Sequence, residues 1–116
     1  MNEKCKKLGL RDTHLYNSHG NDAFDQLKNV STCNEIAKVS SECMAKYDML
    51  RKIVVKKEFI VPRYEKVWEN TNKLLDDGFE GIKTGITETA GPCLAAYYKD
   101  LVIVVLNSKS MNERWM

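Results

Sequence analysis

Glu80 to Leu94 reads EGIKTGITETAGPCL, the pattern of a strand, a turn and the start of a second strand. Ile82 to Thr87 forms the first run, and Ala90-Gly91-Pro92 supplies the turn. Proline lacks an N–H and is tolerated at a strand start, so Pro92 fits the entry to a second strand from Cys93 to Tyr98. A third run, Leu101 to Leu106, follows Lys99-Asp100. Three short strands with short connections predict an antiparallel meander. The Lys99-Asp100 turn is tight and has no glycine, the residue that two-residue hairpin turns usually require. Leu101, Val102, Ile103, Val104, Val105 and Leu106 are apolar at every position, as expected of a strand covered on both faces. A chain of 116 residues has little core to spare. Covering both faces therefore calls for a partner chain or for self-association through this sheet.

Upstream the period changes from two to that of a helix. Cys33, Ile36, Ala37, Val39, Cys43, Met44 and Tyr47 recur at helical spacing, and Thr32 with Glu35 has the form of a capping box. Glu42 and Lys46 form an i, i+4 pair on its outer face. Between helix and meander, Lys56 to Trp68 carries Phe59, Val61, Tyr64 and Val67 interrupted by Pro62, and reads as short extended segments. The charged opening, Met1 to Lys7, is helix-like. No repeat, linker or low-complexity tract breaks the chain, which points to one α+β domain at most.

Composition narrows the function classes. With 43% hydrophobic and 29% charged residues the chain is an ordinary globular one, and its net charge of +2, with both signs interleaved, gives no reason to expect nucleic acid. The basic cluster Arg51, Lys52, Lys56, Lys57 reads as a solvated face. Leu101 to Leu106 is far shorter than the roughly 20 residues of a membrane span, and the charged Met1 to Lys7 has no signal-peptide pattern. Cys5, Cys33, Cys43 and Cys93 match no zinc or C-x-x-C spacing, so no metal or cofactor is expected. Cys33 and Cys43 are expected to pack in the core as small hydrophobes.

Lys83-Thr84-Gly85 is the Lys-Thr-Gly element of penicillin-recognising serine hydrolases. Around it come Leu8-Gly9-Leu10, then Thr13, Asn17, His19 and Gly20, then Ser31-Thr32 opening a helix, Arg51 to Val54, Asn70 to Leu75, and Val102 to Leu106. In that order the chain resembles the later part of a D-alanyl-D-alanine carboxypeptidase, a low-molecular-weight penicillin-binding protein. Ser18 departs from the family's Asn-Pro-His-Gly loop. The resemblance implies a β-lactamase and transpeptidase-like fold, an antiparallel sheet with helices on both sides. It also implies that Lys83 supplies positive charge near a peptide's terminal carboxylate, that the Thr84 hydroxyl hydrogen-bonds that carboxylate, and that Gly85 leaves room for the substrate backbone. The Ile86 N–H would be one of two oxyanion donors. By the same resemblance His19 is a hydrogen-bonding turn residue of a structural loop, and His14 has no assigned role.

Two family motifs are missing from these 116 residues. Serines 18, 31, 40, 41, 108 and 110 are followed three positions on by Asn21, Asn34, Cys43, Met44, Met111 and Glu113, so there is no S-x-x-K. Ser110-Met111-Asn112 matches S-x-N, but it lies after Lys-Thr-Gly, where the family has it before, and reads as chance. Residues 1–116 are therefore expected to be a partial catalytic domain, also short of the family's closing C-terminal helix: a gene fragment, a deliberately shortened chain or one piece of a split protein. The first function expected is a truncated or split serine-type D-Ala-D-Ala carboxypeptidase that trims peptidoglycan stem peptides and is not competent alone. The alternative is a noncatalytic structural or interaction subunit. A D-Ala-D-Ala peptide is the expected ligand. Family members act outside the cytoplasm.

Overall fold

The computed structural model describes residues 1–22 and 27–115 of the chain. It is an α+β structure with three helices, α1 (Asn2–Lys7), α2 (Cys33–Lys46) and α3 (Asp48–Val54), and five strands, β1 (Glu58–Val61), β2 (Lys66–Glu69), β3 (Ile82–Thr87), β4 (Gly91–Tyr98) and β5 (Leu101–Val105). Short 3-10 turns cover Pro62–Tyr64, Lys73–Asp77 and Glu113–Trp115.

Helix α1 ends where Gly9 adopts φ +70°, which directs the Leu10 N–H back to the Cys5 carbonyl at 2.9 Å and buries Leu10. Helix α2 starts at the expected place because the Thr32 hydroxyl accepts the Glu35 N–H at 3.3 Å. Only that half of the capping box forms. The Glu35 carboxylate turns away to accept the N–H of Arg11 at 2.7 Å, the N–H of Asp12 at 3.0 Å and the Thr13 hydroxyl. Those donors hold its pKa below the usual carboxylate value, the Thr13 hydroxyl contributing most. A second correction concerns Cys33, which is exposed, while Cys43 is half-buried. Helix α2 is buried at Ser40 and Met44, so its first turn extends past the contact.

Strands β1 and β2 form an antiparallel hairpin that pairs Phe59 with Trp68 and Ile60 with Val67. Strands β3, β4 and β5 form the expected antiparallel meander, with β4 central. The first turn lies slightly earlier than Ala90-Gly91-Pro92: Glu88 to Ala90 turn the chain, and Gly91, at φ +64°, already pairs with Thr87. The glycine-free second turn is made by Lys99 and Asp100 at φ +46° and +67°, both in the left-handed region that a type I′ turn needs. The Tyr97 hydroxyl reaches Asp100 Oδ1 at 2.8 Å and steadies it.

Residues paired across the meander share a face. Lys83, Gly85, Cys93, Ala95, Val102 and Val104 lie on the α2 side, and Ile82, Thr84, Ile86, Leu94, Ala96, Leu101 and Ile103 on the other. On that second side the turn Glu113–Trp115 lies against β4, and Leu94 and Ala96 are buried. Leu101, Ile86 and Ile103 remain 63%, 56% and 42% exposed. The all-apolar run of β5 is thus covered on one face and open on the other. In the basic cluster, Arg51 pairs with Glu80 at 3.0 Å and Lys57 with Asp76 at 2.7 Å. No helix among the described residues is long and apolar enough to cross a membrane.

Candidate functional site

Strand β3 is one of the two outer strands of the meander, β5 being the other, and among the described residues nothing pairs beyond it. Which backbone groups face that edge follows from Pro92. Its carbonyl accepts the Ser108 N–H at 3.0 Å, on the side away from β3, so Ile86 and Pro92 are a non-hydrogen-bonded pair. The hydrogen bond from Tyr97 N–H to the Gly81 carbonyl fixes the same alternation from the other end. Thr84 and Ile86 therefore turn their N–H and C=O groups to the open edge, while Lys83 and Gly85 turn theirs to β4. Pro92's missing N–H costs nothing to the β3–β4 ladder.

Lys83, Thr84, Gly85 and Ile86 border a cleft of about 620 Å³. Its far side is built by Ile36, Val39 and Ser40 of α2, and His19 and Gly20 also line it. The expectation for His19 holds as far as its ring goes, since Nδ1 accepts the Asn21 N–H at 3.0 Å. Its place beside the Lys-Thr-Gly strand was not foreseen. His14 takes part in a backbone bridge with Val30 and packs against Tyr16.

Gly85 is informative through what surrounds it. Its φ lies outside the left-handed region, and among the described residues, its two chain neighbours aside, no heavy atom stands within 4 Å of the position a Cβ would take. Neither backbone conformation nor packing among the described residues requires glycine there. Gly81 differs: it has φ +107°, and a Cβ would stand 2.7 Å from Val54 Cγ2.

Sequence reasoning missed two further residues. The Thr71 hydroxyl lies 2.6 Å from that of Thr84 and fixes its rotamer. Arg114 is buried, donates from Nη1 to the Gly85 carbonyl at 3.2 Å and stacks on Trp115. Both border a second cleft of about 420 Å³ on the Thr84 side. Their partners are 13 and 29 residues away, so no local pattern announces them. Ser110 caps a turn, its hydroxyl accepting the Glu113 N–H at 3.2 Å.

Comparison with known proteins agrees with this geometry. A family profile described as D-alanyl-D-alanine carboxypeptidase matches residues 1–110. The D-alanyl-D-alanine carboxypeptidase DacF of Bacillus subtilis is 31% identical over 123 residues, covering 98% of this chain and 31% of that protein. The ampicillin-bound penicillin-binding protein D2 of Listeria monocytogenes superposes with a TM-score of 0.88 at 26% identity, covering 98% of this chain and 49% of that one. The Streptomyces K15 DD-transpeptidase superposes with a TM-score of 0.78 at 31% identity, covering 97% of this chain and 47% of that one. The chain thus spans about a third of the curated relative and about half of each solved structure. Its fold is that of penicillin-binding proteins and DD-transpeptidases, and the chain belongs to the D-alanyl-D-alanine carboxypeptidase family.

Proposed function

We propose that this chain supplies the Lys-Thr-Gly wall of a serine-type D-Ala-D-Ala carboxypeptidase site, and that its ligand is the D-Ala-D-Ala end of a peptidoglycan stem peptide. The peptide lies extended along the free edge of β3, adding itself as a strand. The Lys83 ammonium attracts the terminal carboxylate, and the Thr84 hydroxyl, oriented by Thr71, hydrogen-bonds it. The Ile86 N–H, turned to the open edge, stabilises the oxyanion that forms when the penultimate carbonyl is attacked. The nucleophilic serine and the lysine that activates it come from polypeptide outside these 116 residues, which contain no S-x-x-K. The chain is then a partial catalytic domain. The rest of the domain covers Ile86, Leu101 and Ile103.

The observation that supports this most is Gly85: a glycine with open space beside it, on the edge strand, suits a backbone that must be approached by something outside the chain. A fluorescent penicillin tests the chemistry. The isolated chain should form no covalent adduct, and one should appear when a polypeptide bearing the family's S-x-x-K half is supplied. A stoichiometric label on the chain alone, stable to denaturation, would show that it carries its own nucleophile.

The open sheet face also favours a second reading, in which the chain is a noncatalytic subunit retained for its surface. Failure of the complemented pair to acylate, with a stable complex formed, would favour that reading.

A further inference from the structure

The loop Asn17 to Asp22 reaches the Lys83 cleft from a distant part of the chain. Asparagine side chains knit its near end: Asn17 Oδ1 accepts the Gly20 N–H at 2.8 Å, and Asn29 Oδ1 accepts the N–H of Tyr16 at 2.7 Å and of Asn17 at 3.2 Å. Its far end is fastened to the sheet. The Thr89 hydroxyl, in the β3–β4 turn, donates to Asp22 Oδ2 across 67 residues of sequence. The turn is itself ordered by the Ala90 N–H, which donates to Thr87 Oγ1 at 3.1 Å. Between these fastenings stand His19 and Gly20, facing Lys83 to Thr87 across the cleft. A neighbouring cleft of about 410 Å³ shares Ile36, Ala90, Cys93 and Leu106 with the first, and Asp22 and Thr89 line it. The Asp22–Thr89 contact therefore bridges the seam between helix and sheet just beyond the Lys-Thr-Gly strand.

We infer that Asp22 is a positioning residue, whose clamp on Thr89 sets how far the His19–Gly20 wall stands from β3 and so the width of the channel that receives a peptide. The inference rests on the reading of β3 as the peptide-binding edge. A clamp made at the turn moves with the strand, so wall and strand keep their spacing as a unit, and side chains on the bound peptide are selected by that spacing. The Thr87 and Thr89 hydroxyls hold the Asp22 carboxyl below its usual pKa, with Lys28 adding a smaller attraction, so the clamp is charged at neutral pH.

The test compares Asp22→Ala, Thr89→Val, the double variant and Asp22→Asn in the same chain, with two readouts. Amide exchange at Thr89 and the His19 ring resonances report on the wall without any ligand; titration with an N-acylated D-Ala-D-Ala peptide reports on the channel. Asp22→Ala and Thr89→Val should each speed amide exchange at position 89 about ten-fold, shift His19 and weaken peptide binding, with β4 protection unchanged. The double variant should be no worse than Asp22→Ala, which alone removes the contacts to both Thr87 and Thr89. Asp22→Asn, whose amide oxygen still accepts from Thr89, should restore both readouts. Unchanged His19 and Thr89 signals in Asp22→Ala, or additive effects in the double variant, would overturn the clamp. Wild-type chain that binds no peptide while the wall signals respond as described would instead overturn the reading of β3 and leave the clamp standing.

Discussion

Replacing Gly85 and Gly81 by alanine, one at a time, separates a glycine kept for a ligand from one kept for the fold. At Gly85 the new methyl meets no heavy atom of the described residues beyond its chain neighbours within 4 Å, and the backbone φ lies outside the left-handed region. Alanine there should stabilise the chain by about 0.4–1 kcal/mol through the lower entropy of the unfolded state. At Gly81 the methyl would stand 2.7 Å and 2.8 Å from two carbons of Val54 and 3.1 Å from its carbonyl oxygen, at φ +107°. Overpacking costs about 1–3 kcal/mol, and the left-handed backbone adds roughly 1–2 kcal/mol. Since 1 kcal/mol moves the Tm of a small domain by about 4–8 °C, Gly81→Ala should lower it by at least about 8 °C while Gly85→Ala leaves it level or slightly raised. The assay is thermal unfolding followed by circular dichroism, paired with titration of an acylated D-Ala-D-Ala peptide. Gly85→Ala should lose peptide binding while keeping its Tm. A large fall in Tm for Gly85→Ala, or full binding by it, would show that Gly85 is not kept for a ligand.

Thr84→Val should weaken peptide binding by about 1.5–3 kcal/mol, the worth of a hydrogen bond to a charged group, as read by calorimetry. Thr71→Val should weaken it less, because it frees the Thr84 rotamer without removing the donor. Charge introduced on the open sheet face, as Leu101→Lys with Ile103→Lys, should reduce association of the isolated chain; light scattering that shows the wild-type chain strictly monomeric would remove the basis for this. Glu35 is held below the usual carboxylate pKa, so its contribution to stability is present above the unfolded-state pKa and lost as pH falls through the lower folded value. Acid unfolding curves should therefore be shallower over that window for Glu35→Gln than for the wild type.

The meander was legible because its signals are local: apolar runs, a glycine and proline at one turn, and a two-residue gap at the other. Even so, the sequence placed the first turn late, since Gly91 looks like a turn residue and instead opens β4 with a left-handed φ. The start of α2 was legible from Thr32, whereas the destination of Glu35 was not, because Arg11, Asp12 and Thr13 compete for its carboxylate from more than twenty residues away. Helix α3 was missed: Tyr47 precedes it without a side-chain cap, and seven residues give a weak periodic signal. Cys33 was placed inside on periodicity alone, which cannot tell where along a helix the contact ends. At the site, Lys83, Thr84 and Gly85 were readable as a motif. Thr71, Arg114 and Asp22 reach the same strand or its turn only through long-range contacts that the fold creates.

Peptide recognition along β3 is tested most directly by an amide-resolved NMR titration of the chain with N-acetylated D-Ala-D-Ala and, separately, its L-Ala-L-Ala counterpart. Saturable shifts are expected at Thr84, Gly85 and Ile86 in the millimolar range with the D,D peptide, lost in Thr84→Val and absent with the L,L peptide. Equal responses to the two stereoisomers, or none along β3, would contradict that recognition.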